Sequence, residues 1–423
     1  MVAFDDEIIK IILWFLYAVG LYFSLFWLYS LLFDSKPQKK RKKKTWPAVT
    51  VVLPMYNEES TAEPSLDSVY ALDYPKDKLK VICVNDGSKD NTLSILKKLK
   101  EKYDFVLIDQ KNQGKYMALN NAIKIINTPY FACLDADSFI EPDSLRNIID
   151  DFHDSSVAAV MPIMKVNNPR NLLQRIQWFE YILNIFYKYI MGRLDCIHVT
   201  PGPFTTYRTE IVKKIGGFRQ GHLTEDLEMA LRLQDNHYKI KQNVDSTVYT
   251  NAPATIKAFV SQRTRWYQGT MYNVKDYKHF LFNRRYGDFG LFHMPLVALS
   301  GIFTLVGALI FFYIMYQDTF AQIKRMYLTH FDFGTYMKNF SLQFSFLDVN
   351  WQVMFTSLIL FFILFIMIYL SFEYVNEKIS IFKNIKYFIM FLVYLFGYNF
   401  LLAYIWLIVV INLTFRKTTT WVK

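Results

Sequence analysis

Four long apolar segments constrain this chain more than any other feature. Residues 8–33 carry one charge, Lys10, and at about 1.5 Å of helical rise per residue they exceed the roughly 30 Å hydrocarbon core of a bilayer. The segment lacks the small-residue cleavage site of a signal peptide, so we predict an uncleaved membrane anchor. Three further spans are predicted near the other end of the chain, at 289–316, 351–372 and 386–413.

The apolar segments divide the sequence into four predicted parts. These are an anchor (1–35), a basic linker (36–46), a globular domain (47–280) and a bundle of about three spans (281–423). The linker contains KPQKKRKKK, and a basic run directly after a span typically marks the cytoplasmic side and contacts anionic lipid. Much of the net charge of +11 is concentrated there, so we expect a bilayer partner and no nucleic acid. An integral plasma-membrane protein with a cytoplasmic domain is predicted.

Between residues 47 and 280, short apolar runs alternate with longer amphipathic ones. The short runs are continuous and rich in β-branched or aromatic residues, as is typical of strands covered on both faces: 48–54, 80–86, 105–109 and 130–137. The segments between them have helical spacing: 60–72, 91–102 and 115–126. This alternation predicts an α/β domain with a doubly wound, mostly parallel sheet, whose ligand lies beyond the carboxyl ends of the strands.

Unusual polar residues follow three of these predicted strands. Tyr56-Asn57-Glu58 follows the first strand and Asp86-Gly87-Ser88 the second, while Asp135 and Asp137 end the fourth. Two carboxylates so close repel each other unless a positive group lies between them. Neither a GxGxxG nor a GxxxxGK[ST] motif is present, so a metal held by carboxylates is the remaining way to bind a nucleotide diphosphate. An isolated pair of this kind is, however, more often a plain turn after a strand.

Six motifs in a fixed order give the sequence a specific resemblance. They are PMYNEE (54–59), NDGSKDNT (85–92), NQGKYMALN (112–120), DADS (135–138), TED (224–226) and QRTRW (262–266). Together they resemble the family 2 inverting glycosyltransferases, and most closely the membrane-embedded processive hyaluronan, chitin, cellulose and poly-N-acetylglucosamine synthases. The resemblance covers the whole central domain. It implies a GT-A-type nucleotide-sugar fold inserted between transmembrane helices.

The resemblance implies a donor site for a UDP-sugar. Residues matching the family's nucleotide and donor contacts are Tyr56, Glu58, Asp86, Lys115 and Asp135, and the metal acids, for Mn²⁺ or Mg²⁺, are Asp135 and Asp137. Gln262 and Arg265 would hold the diphosphate, because the forked donors of a guanidinium suit phosphate oxygens. Two alternatives stay open: a plain turn at 86–88, and a basic, aromatic membrane-surface helix at 262–266.

The resemblance also implies the catalytic and acceptor residues. TED supplies Glu225 and Asp226, with Asp226 as the general base that takes the proton from the attacking hydroxyl, an effect of typically 10²–10⁴-fold. Thr224 has a second interpretation as the cap of a helix with acids in its first turn. Trp266 offers a flat face for the acceptor sugar. The acceptor-side loop would be formed by Gly202, Pro203 and Phe204.

Two functions stay open at this point. One is a processive enzyme that elongates a polysaccharide, expected to be β-linked, and could extrude it; the other transfers a single sugar to a lipid acceptor. A non-catalytic scaffold is disfavoured because it would need none of these carboxylates. Four spans are few for a channel, so a second copy or an accessory subunit is a further expectation. Residues 170–192 are expected to form a helix on the membrane surface, and the side of the tail with Trp421 is left open.

Overall fold

The computed structural model describes residues 6–32, 46–328, 351–377 and 385–415. Within these ranges, four helices are long and apolar enough to cross a membrane, and we name them the first to fourth spans: Lys10–Leu28, Phe289–Tyr313, Met354–Tyr374 and Ile389–Thr414. The number and places of the predicted spans are therefore confirmed by length and composition. The basic run 36–44 and Trp421 lie outside the described residues.

The helices follow the predicted order along the chain. The first span lies in α1 (Asp6–Leu32), and the domain contains α2 (Ala62–Tyr70), α3 (Thr92–Leu99), α4 (Lys115–Ile125), α5 (Ser144–Asp150), α6 (Leu172–Arg193), α7 (Thr209–Lys214), α8 (Glu225–Asp235) and α9 (Ile256–Asp276). A π-helical turn, Phe289–His293, leads into α10 (Met294–Leu328), and α11 (Trp351–Tyr374) follows. The fourth span combines α12 (Ile385–Leu392), a π-helical segment (Val393–Tyr398) and α13 (Asn399–Thr414).

One eight-stranded sheet forms the centre of the domain. Its strands are β1 (Val49–Met55), β2 (Leu79–Asp86), β3 (Val106–Gln110), β4 (Tyr130–Cys133), β5 (Ser138–Ile140), β6 (Val157–Val166), β7 (Thr206–Arg208) and β8 (Lys239–Thr250). They lie in the order β3-β2-β1-β4-β7-β6-β8-β5. The four predicted strands are parallel to one another. Because β7 is antiparallel to both β4 and β6, and β5 to β8, the sheet as a whole is mixed.

The strand predicted over 130–137 is shorter than expected. β4 ends at Cys133, and a tight turn follows in which the backbone N–H of Ser138 donates to the carbonyl of Asp135 at 2.9 Å. The apolar run continues past the strand because Leu134 and Ala136 are buried in the core. The turn leaves Asp135 and Asp137 at the carboxyl end of the strand.

Apolar side chains cover both faces of the parallel half of the sheet. Successive strand residues point to opposite faces, so Val51 and Val52 enter different clusters although both are fully buried. Val52 packs in the cluster that contains Leu119 of α4, and Val51 packs in the one that contains Leu66 of α2. This two-sided burial explains why the strands read as continuous apolar runs.

Helix α6 forms where a helix on the membrane surface is expected. Most of its apolar side chains are covered by protein, between β6 and the third and fourth spans, although Leu172 at its start is exposed. The ring of Phe179, which is 1 % exposed, lies 5.4 Å from that of Phe372 in the third span and 4.8 Å from that of Tyr394 in the fourth. Thus α6 joins the α/β domain to the spans, and its position at a membrane surface stays a prediction.

Candidate active site

Lys115 lies between carboxylates from two distant parts of the chain. It is the first residue of α4, and its Nζ is 2.6 Å from Asp135 Oδ1 and 3.0 Å from Glu225 Oε1. Burial alone would lower the pKa of Lys115, but the charges of Asp135, Glu225 and Asp226 outweigh it and hold the pKa well above its usual value. This ammonium is a positive group beside the acids that follow β4.

Asp137 makes no ion pair with the residues that the structure describes, although the charge of Lys115 acts on it from a distance. Burial and the neighbouring Asp135 raise the pKa of Asp137 to about 6, and the hydroxyl of Ser138 donates to its Oδ1 at 3.2 Å. In the described part of the chain, no three His, Cys, Asp or Glu side chains are grouped so as to hold a metal. The two carboxylates therefore form an incomplete oxygen set, which a hard cation could complete with substrate phosphate oxygens.

The pKa values of the two TED carboxylates are shifted in opposite directions. Burial and the charge of Glu225 raise the pKa of Asp226 to about 6, although its Oδ1 accepts the backbone N–H of Leu227 at 2.8 Å. Burial also acts on Glu225, but the Lys115 ammonium dominates and its pKa lies below the usual value. Asp226 therefore takes up a proton more readily than Glu225 as the pH falls.

The predicted helix cap at Thr224 is not made. Thr224 precedes α8, but its side chain makes no capping hydrogen bond; the hydroxyl donates instead to the carbonyl of Gly221 at 2.6 Å. The same hydroxyl accepts a hydrogen bond from Asn273 Nδ2 at 3.0 Å. The backbone before α8 turns back on itself, which brings the Gly221 carbonyl closer to the hydroxyl than the helix amides.

Gly202 lies directly against the Lys115–Asp135 pair. A Cβ at this position would be 2.5 Å from Asp135 Oδ2 and 2.6 Å from Lys115 Nζ, so only glycine fits without moving the pair. The next two residues differ from expectation: Pro203 is buried, and the Phe204 side chain is fully buried in the core. This corrects the expectation for Phe204, because a side chain in the core cannot contact an acceptor.

Asp86 organises the loop that leads to Lys115. It is 3 % exposed, and its carboxylate accepts hydrogen bonds from Gln110 Nε2 at 2.8 Å and from the backbone N–H groups of Gln113 and Gly114 at 3.0 and 2.9 Å. Three donors on one carboxylate fix the loop between β3 and α4. Asp86 therefore shapes the site, whatever ligand it contacts.

The loops after β1 and β2 are tied together. Tyr56 is half-buried at the end of β1, and the next residue, Asn57, accepts the backbone N–H of Lys89 at 2.8 Å through Oδ1. The backbone N–H of Glu58 donates to the hydroxyl of Thr92 at 2.7 Å. These bonds hold the predicted nucleotide residues in one preformed surface at the carboxyl edge of the sheet.

The QRTRW segment lies inside α9, and its residues face different partners. Arg265 Nη1 donates to the carbonyl of Leu223 at 2.9 Å, and its charge lowers the pKa of Asp226. The guanidinium of Arg263 lies 4.2 Å from the ring centre of Trp266. Gln262 Oε1 is buried without a hydrogen-bond partner in the described part of the chain. Arg265 therefore lies beside the TED carboxylates, whereas Trp266 packs against Arg263.

The sequence profile described as Glycosyl transferase family 2 matches residues 50–216. This chain contains a family 2 glycosyl transferase domain. Four of the six motifs, those between residues 54 and 138, lie inside this match, whereas TED and QRTRW lie beyond it and stay predictions. Together with the four candidate spans, the match indicates a membrane protein that carries a glycosyltransferase domain.

Two curated relatives and one solved structure are similar to this chain. The poly-beta-1,6-N-acetyl-D-glucosamine synthase of Staphylococcus aureus (strain COL) is 34 % identical over 224 residues, 52 % of this chain and 54 % of the relative. That of Staphylococcus epidermidis is 31 % identical over 267 residues, 60 % of this chain and 64 % of the relative. The chain thus spans about half the length of the curated relatives it matches.

The solved structure is a mannosyltransferase from Pyrobaculum calidifontis in complex with GDP-Man and Mn²⁺. It is 21 % identical to this chain, with a TM-score of 0.55, and the match covers 76 % of this chain and 96 % of the mannosyltransferase. This likeness confirms the fold of the family 2 domain, a GT-A-type mixed sheet with helices.

The sequence predicted no role for Arg263 or Lys188 near the candidate site, and it placed Thr200 only in the segment that resembles the family's acceptor-side loop. Arg263 is 1 % exposed and pairs with Glu180 Oε2 at 2.5 Å. The Thr200 hydroxyl donates to the backbone carbonyl of Asp226 at 2.8 Å. Burial lowers the pKa of Lys188 to about 8, against the opposing effect of Asp226. The sequence signal for Lys188 is that it is the one cation between Arg175 and Arg193 in α6.

Proposed function

We propose that this chain transfers N-acetylglucosamine from UDP-N-acetylglucosamine to the end of a growing β-linked polysaccharide, with inversion at the transferred sugar. The observation that carries the proposal is the convergence of Lys115, Asp135, Glu225 and Asp226 at the carboxyl edge of the sheet. This transfer needs a cation to stabilise the negative diphosphate and a base whose pKa lies near neutral pH to take the proton of the acceptor hydroxyl. The donor and product are inferred from the names of the two staphylococcal relatives.

The uridine is proposed to bind the joined loops after β1 and β2. Tyr56 and Glu58 stand on the first loop, and Asp86 ends β2. The Asp86 carboxylate already accepts three N–H groups, which hold it in one orientation. A further hydrogen bond from the imide N–H of uracil would therefore form without ordering this side chain. Lys115, Gln262 and Arg265 would then face the diphosphate, where the two cations favour negative oxygens.

Asp135 and Asp137 are proposed to hold Mn²⁺ or Mg²⁺ with the donor. The fit rests on charge: burial and the neighbouring Asp135 raise the pKa of Asp137 to about 6, so the Lys115 ammonium, which contacts Asp135, does not by itself offset both acids. A divalent cation held by Asp135 and Asp137 would supply further positive charge for these acids and for the diphosphate leaving group. The Lys115 ammonium, 2.6 Å from Asp135, keeps that carboxylate oriented.

Asp226 is proposed to be the general base. The acceptor oxygen forms a bond to the anomeric carbon, the bond from that carbon to the diphosphate breaks, and the hydroxyl proton passes to the Asp226 carboxylate. A carboxyl with a pKa of about 6 is ionised at neutral pH and still basic enough to share the proton. Glu225 has a lowered pKa, so it fixes the Lys115 ammonium instead of taking the proton.

The acceptor end is proposed to stack on Trp266. One face of the indole is covered by the Arg263 guanidinium, so a sugar ring has only the opposite face. The Gly202-Pro203 turn is proposed to border the reacting sugars, because Gly202 leaves space next to Asp135 that any side chain would fill. Arg263, held by Glu180, fixes the indole and does not touch the sugar itself.

The catalytic domain is proposed to lie in the cytoplasm. The proposed domain boundaries are those of the sequence analysis: 1–35, 36–46, 47–280 and 281–423. The support is the basic run after the first span, which is typical of that side. The four described spans are few for a closed channel, so extrusion of the glycan would require a second copy or an accessory subunit.

The test is product formation by purified membranes given labelled UDP-N-acetylglucosamine with Mn²⁺ or Mg²⁺. We expect a product of high molecular weight that is lost on chelation and falls 10²–10⁴-fold in Asp226→Asn. The matched control is Asp77→Asn, because Asp77 is a surface carboxylate paired only with Lys78 in the described residues. Label confined to a small, organic-soluble product would establish a lipid acceptor instead. Equal incorporation by the wild type and Asp226→Asn would refute the assignment of the base.

A further inference from the structure

Three consecutive residues before α8 have a left-handed backbone. The φ angles are +52° for Gly221, +53° for His222 and +67° for Leu223. Residues with a Cβ are disfavoured in this region because the Cβ approaches a carbonyl oxygen. Residues 221–223, which we name the strap, therefore need external contacts to keep this conformation. The strap ends immediately before Thr224 and the two TED carboxylates.

One face of α9 supplies these contacts. Arg265, Gly269, Asn273 and Asp276 are spaced by four, four and three residues, so they lie on the same side of the helix. Their polar contacts with the strap are Arg265 Nη1 to the Leu223 carbonyl at 2.9 Å, Asn273 Nδ2 to the Gly221 carbonyl at 2.9 Å, and Asp276 Oδ2 to His222 Nε2 at 2.8 Å. Each strap residue is thus held from the same helix face.

Gly269 shows how closely α9 approaches the strap. A Cβ there would be 2.6 Å from both side-chain atoms Oγ1 and Cγ2 of Thr224 and 3.1 Å from the carbonyl of His222. The His222 ring also lies 4.9 Å from that of Tyr272, the residue before Asn273. The strap is therefore packed as well as hydrogen-bonded, and its position follows that of α9.

We name these contacts between α9 and the strap the clamp. Arg265 connects the clamp to the donor. A guanidinium has five N–H donors, so Arg265 can hold the Leu223 carbonyl and phosphate oxygens together. A diphosphate on Arg265 would reduce the freedom of this side chain and so tighten its hold on the strap. Since Asp226 lies three residues after Leu223, at the start of a rigid helix, the base would be fixed at the same time.

We propose that His222, Leu223 and Asn273 are positioning residues, which act through the strap to place Asp226 and to couple its position to a diphosphate on Arg265. The identity of that diphosphate rests on the proposed function, whereas the clamp between α9 and the strap does not.

The first test compares two substitutions of the same exposed residue. His222→Ala removes the contact with Asp276 but keeps a Cβ in the left-handed region, so the strap should relax and kcat fall at least about tenfold, with the donor KM nearly unchanged. His222→Gly removes the same contact without the steric penalty, so it should retain more activity than His222→Ala. Equal losses in the two variants would overturn the role of strain.

The matched control is His279→Ala. His279 is exposed like His222 and also lies 2.8 Å from a carboxylate, that of Asp235, but it does not touch the strap. It should retain wild-type kcat. If His222→Ala and His279→Ala behave alike, the effect is general surface damage and the proposal is wrong.

The second test reads the strap directly, by hydrogen exchange of the amides of residues 221–228 in the purified full chain. Asn273→Ala should speed this exchange without UDP, which tests the clamp alone. In the wild type, UDP with Mn²⁺ should slow it, and Asn273→Ala should weaken that effect while UDP affinity changes less than about twofold. If these amides exchange as slowly in Asn273→Ala as in the wild type without UDP, the clamp is refuted. Bound UDP without any effect on exchange would refute the coupling, whereas failure to bind UDP would refute the proposed donor and leave the clamp result valid.

Discussion

Replacing Gly202 by alanine should disable the donor site without unfolding the domain. The added Cβ would lie 2.5 Å from Asp135 Oδ2 and 2.6 Å from Lys115 Nζ, about 0.9 Å inside the 3.4 Å at which ordinary contacts begin. Neither partner can move freely, because Lys115 is also 3.0 Å from Glu225. The pair must therefore shift by about an ångström. A displacement of this size at a reacting centre costs about 100-fold, or roughly 2.7 kcal/mol of transition-state stabilisation.

The measurement is kcat/KM for transfer from labelled UDP-N-acetylglucosamine by purified membranes, together with the thermal unfolding of the purified chain. The matched control is Gly307→Ala in α10, where an added Cβ meets no atom of the described structure within 4 Å. Gly202→Ala should lower kcat/KM about 100-fold with little change in unfolding temperature. Gly307→Ala should keep the wild-type kcat/KM and the wild-type unfolding temperature. More than half of wild-type activity in Gly202→Ala would refute the steric reasoning.

Three further results are expected. The rate of sugar transfer should rise with pH through about 6 as Asp226 ionises. Lys188→Met removes a nearby positive charge and should move this rise to higher pH, while Lys188→Arg should not. Coincident pH–rate profiles of the two variants would contradict this. Arg263→Leu leaves the mostly buried Glu180 carboxylate without its ion pair, so the free energy of unfolding should fall by about 3–5 kcal/mol in denaturant titrations. An unchanged midpoint would contradict the pairing. Thr200→Val removes the donor to the Asp226 carbonyl and should lower kcat more than the donor KM changes; a pure KM effect would argue for donor contact instead.

The parallel half of the fold could be predicted because its signal is local. Continuous apolar runs and the helical segments between them gave β1 to β4 and α2 to α4 in order. The antiparallel half could not: β7 has only three residues, Thr206–Arg208, and its two neighbours β4 and β6 are chosen by contacts distant in sequence. The burial of Phe204 has the same origin, because its side chain enters the core next to this short strand.

The site shows the same division between local and distant causes. Asp86, Asp135 and Asp137 could be predicted to lie at one edge of the sheet because the strands they follow are parallel, whereas Glu225 and Asp226 begin a helix and were placed in the site only by the family resemblance. The Arg263–Glu180 pair joins residues 83 positions apart on α6 and α9, and no spacing rule connects them. The missing cap at Thr224 depends on the left-handed strap, which a sequence of one glycine followed by histidine and leucine does not suggest. Backbone conformations that neighbouring elements impose stay invisible to periodicity.

The packing of α6 and α9 against the spans has a consequence for the order of events during synthesis. Phe179 of α6 lies against Phe372, and Tyr267 of α9 is stacked on Trp406, with ring centres 4.8 Å apart. Both helices leave the ribosome before the segments that cover them exist. The catalytic domain therefore completes its core only when the last span is in place, and a chain that stalls before full insertion should carry every catalytic residue and still be inactive. The proposed sugar transfer would then depend on insertion of the last span, and the first span alone would not suffice.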